Sequence, residues 1–367
     1  MRIAYDHQIF ELQKYGGISR YFFELANNIA KTPEMDVGIV SPVYTNAYLG
    51  AASGNLHVMG RKMPAMRFSG RIYSAINQLL APSRLRQFQP DLVHETYYSL
   101  KRCAPAGSKV VLSVFDMIHE RFPESFLASD PTFKAKAVAV KRADHVICIS
   151  EQTRKDLIEF LGTDPAKVSV VHLGFSLTQS PPAGNEENPE RPYLLYVGSR
   201  VGYKGFEGLL RAYAARRELQ STYDLIAFGG GGFNAQEQDL MRSLGVRNEH
   251  VWQVGGDDSV LAGLYRQASL FVYPSLYEGF GIPPLEAMSF DCPVVCSDAS
   301  SIPEVVGDAA ELFDPHSPDA LGASIERVLG DTAWRQVLVE RGRERIKLFS
   351  WERCARQTMN IYQGLLA

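Results

Sequence analysis

Two glutamates, Glu278 and Glu286, stand with seven residues between them in the stretch SLYEGFGIPPLEAMS, from Ser275 to Ser289. An ionised carboxylate accepts hydrogen bonds and donates none, so such a pair suits gripping sugar hydroxyls better than acid–base exchange. Gly279 and Gly281 let the backbone turn tightly and come close to a ligand. Pro283 and Pro284 suit the first turn of a helix, and Glu286 is expected in that turn. N–H groups at a glycine turn that opens a helix favour a phosphate or another oxyanion. Hydroxyl acceptors beside an oxyanion site match the three parts of a nucleotide-sugar: ribose, diphosphate and sugar.

These residues need a scaffold that delivers them to one edge. The run LFVYP ahead of Ser275 reads as a strand, and the rest of the chain repeats that punctuation. MRIAYD, DVGIVS, DLVHE, KVVLSVFD and HVICIS are short β-rich runs with helical patterns between several of them. In RYFFELANNIAK, Tyr21, Phe22, Leu25, Ala26 and Ile29 fall at helical spacing. PYLLYVGS, YDLIAFGG, HVWQVGG, LFVYPS, CPVVCSD and AELFDP form a second series, separated by FEGLLRAYAARRE and AQEQDLMRSLG. Residues 177–192, rich in proline and polar side chains, read as a linker. The expected fold class is α/β, two Rossmann-like doubly wound domains facing a central cleft. A length of 367 residues also favours two domains. In open sheets of this kind, ligands bind beyond the carboxyl ends of the strands.

The E-x7-E segment resembles the signature of the family 4 retaining glycosyltransferases, which have the GT-B fold. YGGISRYFFELA is similar to the family's N-terminal glycine loop and helix, and YVGSRVGYKGFEGLLRAY to its donor-diphosphate segment. YPSLYEGFGIPPLEAM and SDASSIPEVVGDAAELFDP match in order and spacing, so the resemblance runs through nearly the whole chain. It implies that Glu286 binds the ribose, that Glu278 contacts the sugar hydroxyls, and that Phe280 and Gly281 offer backbone N–H groups. It implies that Arg200 and Lys204 hold the diphosphate. Cations there would act where charge develops on the leaving group. Many relatives have a longer segment between that arginine and lysine. Gly16 and Gly17 would let the donor approach, and Gly230 would face the nucleotide. In SVFDMIHE, Phe115 occupies the family's usual histidine position, followed by Asp116, with His119 three residues on. Glu95, Asp116 and Arg20 are further candidates for acceptor hydroxyls. The resemblance also implies that the final helix returns to the first domain. The domains are then 1–176 with 352–367, and 193–351.

A competing motif is GxGxxA at Gly230, Gly232 and Ala235, a permitted dinucleotide fingerprint. It follows the second strand of its domain rather than the first, and Arg247–Trp252 puts no acid at the end of the next strand, which disfavours a nicotinamide enzyme. No Asp-x-Asp occurs, the motif with which metal-dependent GT-A enzymes generally hold a cation, so neither metal nor cofactor is expected. The five cysteines form no CxxC pair and read as buried or free thiols of a reducing compartment.

Net charge is −3, yet residues 1–176 carry 21 Lys and Arg against 16 Asp and Glu, and residues 177–367 carry 17 against 25. From Leu56 to Pro90 there are six basic residues and no acid. Ile72, Tyr73, Ile76, Leu79 and Leu80 recur there at helical spacing. Either the core buries that stripe, or it rests on an anionic membrane surface. Nucleic acid is disfavoured because the domain as a whole is not strongly basic. Neither a signal peptide nor a transmembrane run is expected, which implies a cytoplasmic protein, peripheral at the inner membrane face if 56–90 docks. The expected activity is retaining, metal-independent hexosyl transfer from a GDP- or UDP-sugar to a saccharide or lipid-linked acceptor in bacterial surface polysaccharide (lipopolysaccharide) synthesis. The alternatives are a sugar-nucleotide epimerase or hydrolase on the same fold and a non-catalytic nucleotide-binding subunit.

Overall fold

The computed structural model describes residues 1–52, 54–65, 69–127, 129–175 and 191–367. Most of the expected linker, and Met66, Arg67 and Phe68 of the basic stretch, lie outside the described residues. The chain divides into two compact units, Met1–Gly174 with Ser350–Ala367, and Phe175–Phe349.

Among the described residues the first unit holds seven strands: β1 (Arg2–Tyr5), β2 (Asp36–Tyr44), β3 (Leu56–Lys62), β4 (Leu92–Glu95), β5 (Lys109–Val114), β6 (His145–Cys148) and β7 (Val168–Val170). Their order is β3-β2-β1-β4-β5-β6-β7, and every pairing is parallel. The second unit holds β8 (Tyr193–Val197), β9 (Asp224–Phe228), β10 (Val251–Val254), β11 (Leu270–Tyr273), β12 (Val294–Ser297) and β13 (Glu311–Phe313). Their order is β10-β9-β8-β11-β12-β13, again all parallel. The central strands β8 and β11 are buried along their whole length, as strands covered on both faces must be. Both sheets reverse direction beside their first strand, at β1/β4 and at β8/β11, and that reversal opens a crevice at the carboxyl ends. The fold is GT-B.

Two strands escape the sequence reading, β3 and β7, and both are sheet edges. β7 is only three residues long, and β3 mixes polar with apolar residues and is largely solvated. β3 ends on exposed Arg61 and Lys62, charges that suit an edge. The helix that follows, Ser69–Phe88, splits the predicted apolar stripe. Tyr73, Asn77, Ala81 and Leu85 turn inward at every fourth position, while Ile72, Leu79 and Leu80 stay 60%, 77% and 42% exposed.

The last helix, Trp351–Leu366, belongs to the first unit. A buried hydrogen-bonded chain fixes it there. Tyr362 Oη lies 3.2 Å from Tyr5 Oη and 2.5 Å from His94 Nδ1. His94 Nε2 lies 2.9 Å from Ser113 Oγ, which lies 3.1 Å from Tyr21 Oη. Burial holds the His94 ring neutral, with its pKa pushed down to about 3.

Candidate functional site

The predicted residues of the second unit gather at the carboxyl ends of β8, β9 and β11. After β8 the chain forms a single 3₁₀ turn, Gly202–Lys204, closed by Gly205 at φ +72°. A Cβ on Gly205 would stand 2.0 Å from the Pro274 carbonyl oxygen, so only glycine lets this turn lie against the end of β11. The amide of Leu276 donates to the Tyr203 carbonyl across the same seam at 2.7 Å. That packing brings Lys204 to Glu278. The ammonium donates to both carboxylate oxygens at 2.8 Å, and the two side chains are only 19% and 8% exposed. An ammonium has three N–H bonds, and this pairing uses two of them.

Glu278 is held from behind as well. Its amide donates to Ser300 Oγ at 3.3 Å, and Ser300 Oγ donates back to its carbonyl at 2.7 Å. Ser301 Oγ donates to the carbonyls of Glu278 and Phe280, each at 2.9 Å. Ser300 sits at φ +55°, a left-handed conformation uncommon for a non-glycine residue. Burial, and then the Glu278 carboxylate beside it, holds the Tyr273 phenol well above its ordinary range. The serines and the tyrosine lie outside the motif, and neither spacing nor composition singled them out.

Gly281, at φ +100°, opens the helix Ile282–Ser289. Two expectations change here. Pro283 and Pro284 bring no N–H, so this helix start offers fewer donors to an oxyanion than an ordinary one. Glu286 is the fifth helical residue and falls past the first turn, where its Oε2 accepts from Tyr265 Oη at 3.2 Å. The Phe280 ring is buried and meets Phe349 edge-on at 5.7 Å, which leaves only its backbone to face a ligand.

Arg200, expected to hold the diphosphate with Lys204, is engaged by Glu237 and the glycine turn after β9. Its Nε donates to Glu237 Oε1 at 2.7 Å. Its Nη1 donates to the Gly229 carbonyl at 2.9 Å, and its Nη2 to the carbonyls of Gly231 and Gly232 at 2.9 and 3.0 Å. The guanidinium lies 4.8 Å from the centre of the Phe233 ring, and the side chain is 4% exposed. Gly229, Gly230 and Gly231 are all left-handed, and a Cβ on Gly230 would meet Arg200 Nη1 at 2.7 Å. The acid nearest beyond β10, Asp257, caps the helix Asp258–Gln267 by accepting from the amides of Ser259 and Val260.

In the first unit, Gly16 and Gly17 open the helix Gly17–Ile29, and the space where a Gly17 Cβ would stand is empty. Asp116 follows β5. Its Oδ1 accepts from the Ile118 amide at 3.1 Å, and its carbonyl accepts from Lys136 Nζ at 2.9 Å. His119 stacks on Phe126 at 3.9 Å, with Nε2 3.7 Å from Asp130 Oδ2. Phe115 is buried in the core against Tyr21. Glu95, a candidate for acceptor hydroxyls, is wholly buried and held by Arg142 at 2.6 Å. A cavity of about 360 Å³ opens beside β1 and β4, lined by His7, Glu11, Gln78, Tyr98, Lys101 and Arg102 among others. His7 is 5% exposed, and its Nδ1 has no partner among the described residues. Also among the described residues, no group of three or more His, Cys, Asp or Glu is placed to hold a metal ion, and no helix is long and apolar enough to cross a membrane.

Comparison with known proteins adds to this geometry. Residues 15–179 match the family described as Glycosyltransferase Family 4, and residues 179–345 match Glycosyl transferases group 1. The O-antigen chain mannosyltransferase B of Escherichia coli is 30% identical over 375 residues, covering 95% of this chain and 96% of that protein. Sucrose-phosphate synthase from Thermosynechococcus elongatus superposes with a TM-score of 0.73 at 21% identity, covering 100% of this chain and 99% of that one. Anabaena HepE in complex with UDP and glucose superposes at 0.72 with 18% identity, covering 99% and 100%. At those identities the two structures speak for the fold alone.

Proposed function

This chain belongs to glycosyltransferase family 4, and from that premise we propose that it transfers a hexose, with retention at the anomeric carbon, from a nucleoside diphosphate sugar during surface polysaccharide assembly. Mannose from GDP-mannose is the first choice of sugar and donor, supported by the full-length likeness to an O-antigen mannosyltransferase. The observation that carries the reading is the Lys204–Glu278 pair at the β8/β11 switch point. Glu278 turns acceptor oxygens toward the sugar hydroxyls, and Lys204 brings a third N–H and a positive charge to the departing phosphate. The Phe280 and Gly281 amides flank the same ligand, and Glu286 takes the ribose hydroxyls. Gly17 leaves room for the donor, with Gly16 giving way to the Gln13 side chain beside it, and Asp116 and His119 belong to the acceptor half.

In the transfer, the bond from the anomeric carbon to the diphosphate oxygen breaks through an oxocarbenium-like state. The acceptor oxygen bonds that carbon on the same face, and its proton passes to the leaving phosphate. Charge grows on the phosphate as the bond breaks, and a fixed ammonium there stabilises the transition state more than the ground state. Lys204 thus supplies the charge compensation that a cation gives in metal-dependent enzymes.

The acceptor is a saccharide carried on a lipid. The cavity at His7 and Glu11 supplies hydrogen-bonding groups of the kind a sugar needs, and its volume suits a small ligand. Gln78 lines it from the same helix that leaves Ile72, Leu79 and Leu80 exposed, beside Arg71, Arg84 and Arg86. That helix would rest on anionic headgroups at the inner face of a membrane.

The test is incubation with GDP-mannose and UDP-glucose, each with a mannose-terminated lipid analogue, in excess chelator. Transfer is expected to persist, and proton NMR to show the donor's anomeric configuration in the product. An inverted product would overturn retention, and loss of turnover restored by magnesium would overturn the metal-free mechanism. Conversion of the donor without an acceptor would point instead to an epimerase or hydrolase.

A further inference from the structure

We propose that Tyr265 is a positioning residue of the nucleotide site, whose buried hydroxyl sets the Glu286 carboxylate for the ribose hydroxyls. This role rests on the reading of Glu286 as the ribose ligand. Tyr265 stands on the helix Asp258–Gln267 and is wholly buried. Its Oη donates to Glu286 Oε2 at 3.2 Å, across to the helix Ile282–Ser289. Burial, and then the Glu286 carboxylate beside it, holds the Tyr265 phenol well above its ordinary range. The phenol therefore keeps its proton throughout the neutral range, and the carboxylate is the acceptor. A carboxylate accepts along about four lone-pair directions on its two oxygens, so one phenol steadies it without exhausting it.

Packing fixes the ring that carries this hydroxyl. Tyr265 lies edge-on to Phe271 at 5.4 Å and nearly parallel to Phe290 at 6.2 Å. Phe290 directly follows the helix that carries Glu286, and Phe271 belongs to β11. Phe271 in turn packs on Tyr273 at 5.8 Å, the two sharing one face of the strand. The Tyr193 hydroxyl on β8 donates to the Leu264 carbonyl at 2.8 Å, which ties the Tyr265 helix to the central strands just before the tyrosine. One aromatic layer thus supports both motif carboxylates, since Tyr273 hydrogen-bonds Glu278 as Tyr265 does Glu286. Phenylalanine would fill the Tyr265 position with the same packing. A buried hydroxyl must find a partner, and the one it finds is the carboxylate read as the ribose ligand. A glutamate is long and flexible, and the freedom it loses on gripping a ribose opposes binding. Tyr265 removes part of that cost before the nucleotide arrives.

The experiment is calorimetric titration of GDP and UDP, each beside its 2′,3′-dideoxy form, into the wild-type chain, Tyr265→Phe, Glu286→Gln and the double variant, with steady-state kinetics on the same proteins. Tyr265→Phe removes one oxygen and keeps the packing. We expect it to bind the native nucleotide about fivefold more weakly, in the range of one hydrogen bond, and the dideoxy form within about twofold of wild type. Donor KM should rise by a similar factor while kcat and acceptor KM hold, because the ribose is remote from the bond that breaks. The double variant should bind the native nucleotide no worse than Glu286→Gln, because the tyrosine acts through the glutamate. A loosened core would weaken both forms alike, so equal losses would overturn the role of Tyr265, as would unchanged binding of the native nucleotide. A ribose preference lost in Glu286→Gln but kept in Tyr265→Phe would also overturn it, and would leave the ribose reading standing. A wild-type chain that binds native and dideoxy nucleotides alike would overturn the ribose reading itself, and the role of Tyr265 with it.

Discussion

The two sheets have the same parallel architecture and the same switch point, yet their carboxyl edges are furnished in opposite ways. In the second unit, left-handed glycines follow two strands directly, Gly198 after β8 and Gly229 to Gly231 after β9, and Gly281 lies further on past β11. In the first, the left-handed glycines are Gly54, Gly107 and Gly162. Two of these precede a strand, and the third ends a helix. The carboxyl edge of the first unit is built from side chains instead. Asp6 Oδ1 accepts from Thr96 Oγ1 at 2.6 Å, Glu95 is held by Arg142, and Lys136, fully buried, donates to Glu120 at 2.8 Å. A backbone surface suits what every nucleotide-sugar shares, its phosphates. A side-chain surface can be rewritten residue by residue, and it suits a partner that differs from one enzyme to the next.

The largest expected effect breaks the glycine-rich side at the Lys204–Glu278 pair. Lys204→Ala should lower kcat by about a hundredfold, the range for removing one fixed group at a developing charge. It also strands the Glu278 carboxylate, buried without its partner, so thermal unfolding should fall as well. A kcat within twofold of wild type would remove Lys204 from the leaving group.

Glu286→Gln should come next, weakening nucleoside diphosphate binding by about tenfold, or ~1.4 kcal/mol. Calorimetric titration reads this directly, and unchanged affinity would end the ribose assignment. Glu278→Gln is expected to depress turnover more than affinity, which sharpens the division between the two carboxylates.

The third effect sets the units apart by pH. The folded-state pKa of His94, about 3, lies below the ordinary 6.5, so the unfolded chain binds more protons between those values. Its contribution to stability is present above pH 6.5 and is lost as pH falls toward 3. Urea unfolding followed between pH 7 and pH 5 should therefore show wild type losing more stability than His94→Gln. Parallel losses would place the acid sensitivity elsewhere.

The smallest effect concerns the exposed helix of the first unit. Cosedimentation should show weak, salt-sensitive binding to anionic vesicles and none to neutral ones. Arg71→Glu with Arg84→Glu should abolish it, at about 1 kcal/mol per arginine. Equal, negligible binding to both vesicle types would leave Ile72 and Leu79 as solvated surface and favour a soluble acceptor.

What the sequence determined by itself is the parallel alternation and the chemistry at the strand ends. Buried central strands need unbroken apolar runs, so LLYV and LFVY announce themselves, and a glycine turn with two spaced carboxylates is a local pattern that one stretch of chain carries whole. The family likeness of those stretches extended the reading to Lys204. Strands β3 and β7 were not legible, because LHVMGRK runs into exposed charges and VSV is only three residues long. Only the tertiary structure decided which partner each charge takes. Arg200 and Lys204 read alike in YVGSRVGYKG, four positions apart, yet one pairs with Glu237 and three carbonyls while the other reaches Glu278. Those partners lie 37 and 74 residues away in the chain. An ion pair depends on distance in space, and sequence spacing beyond a helical turn or two does not fix that distance.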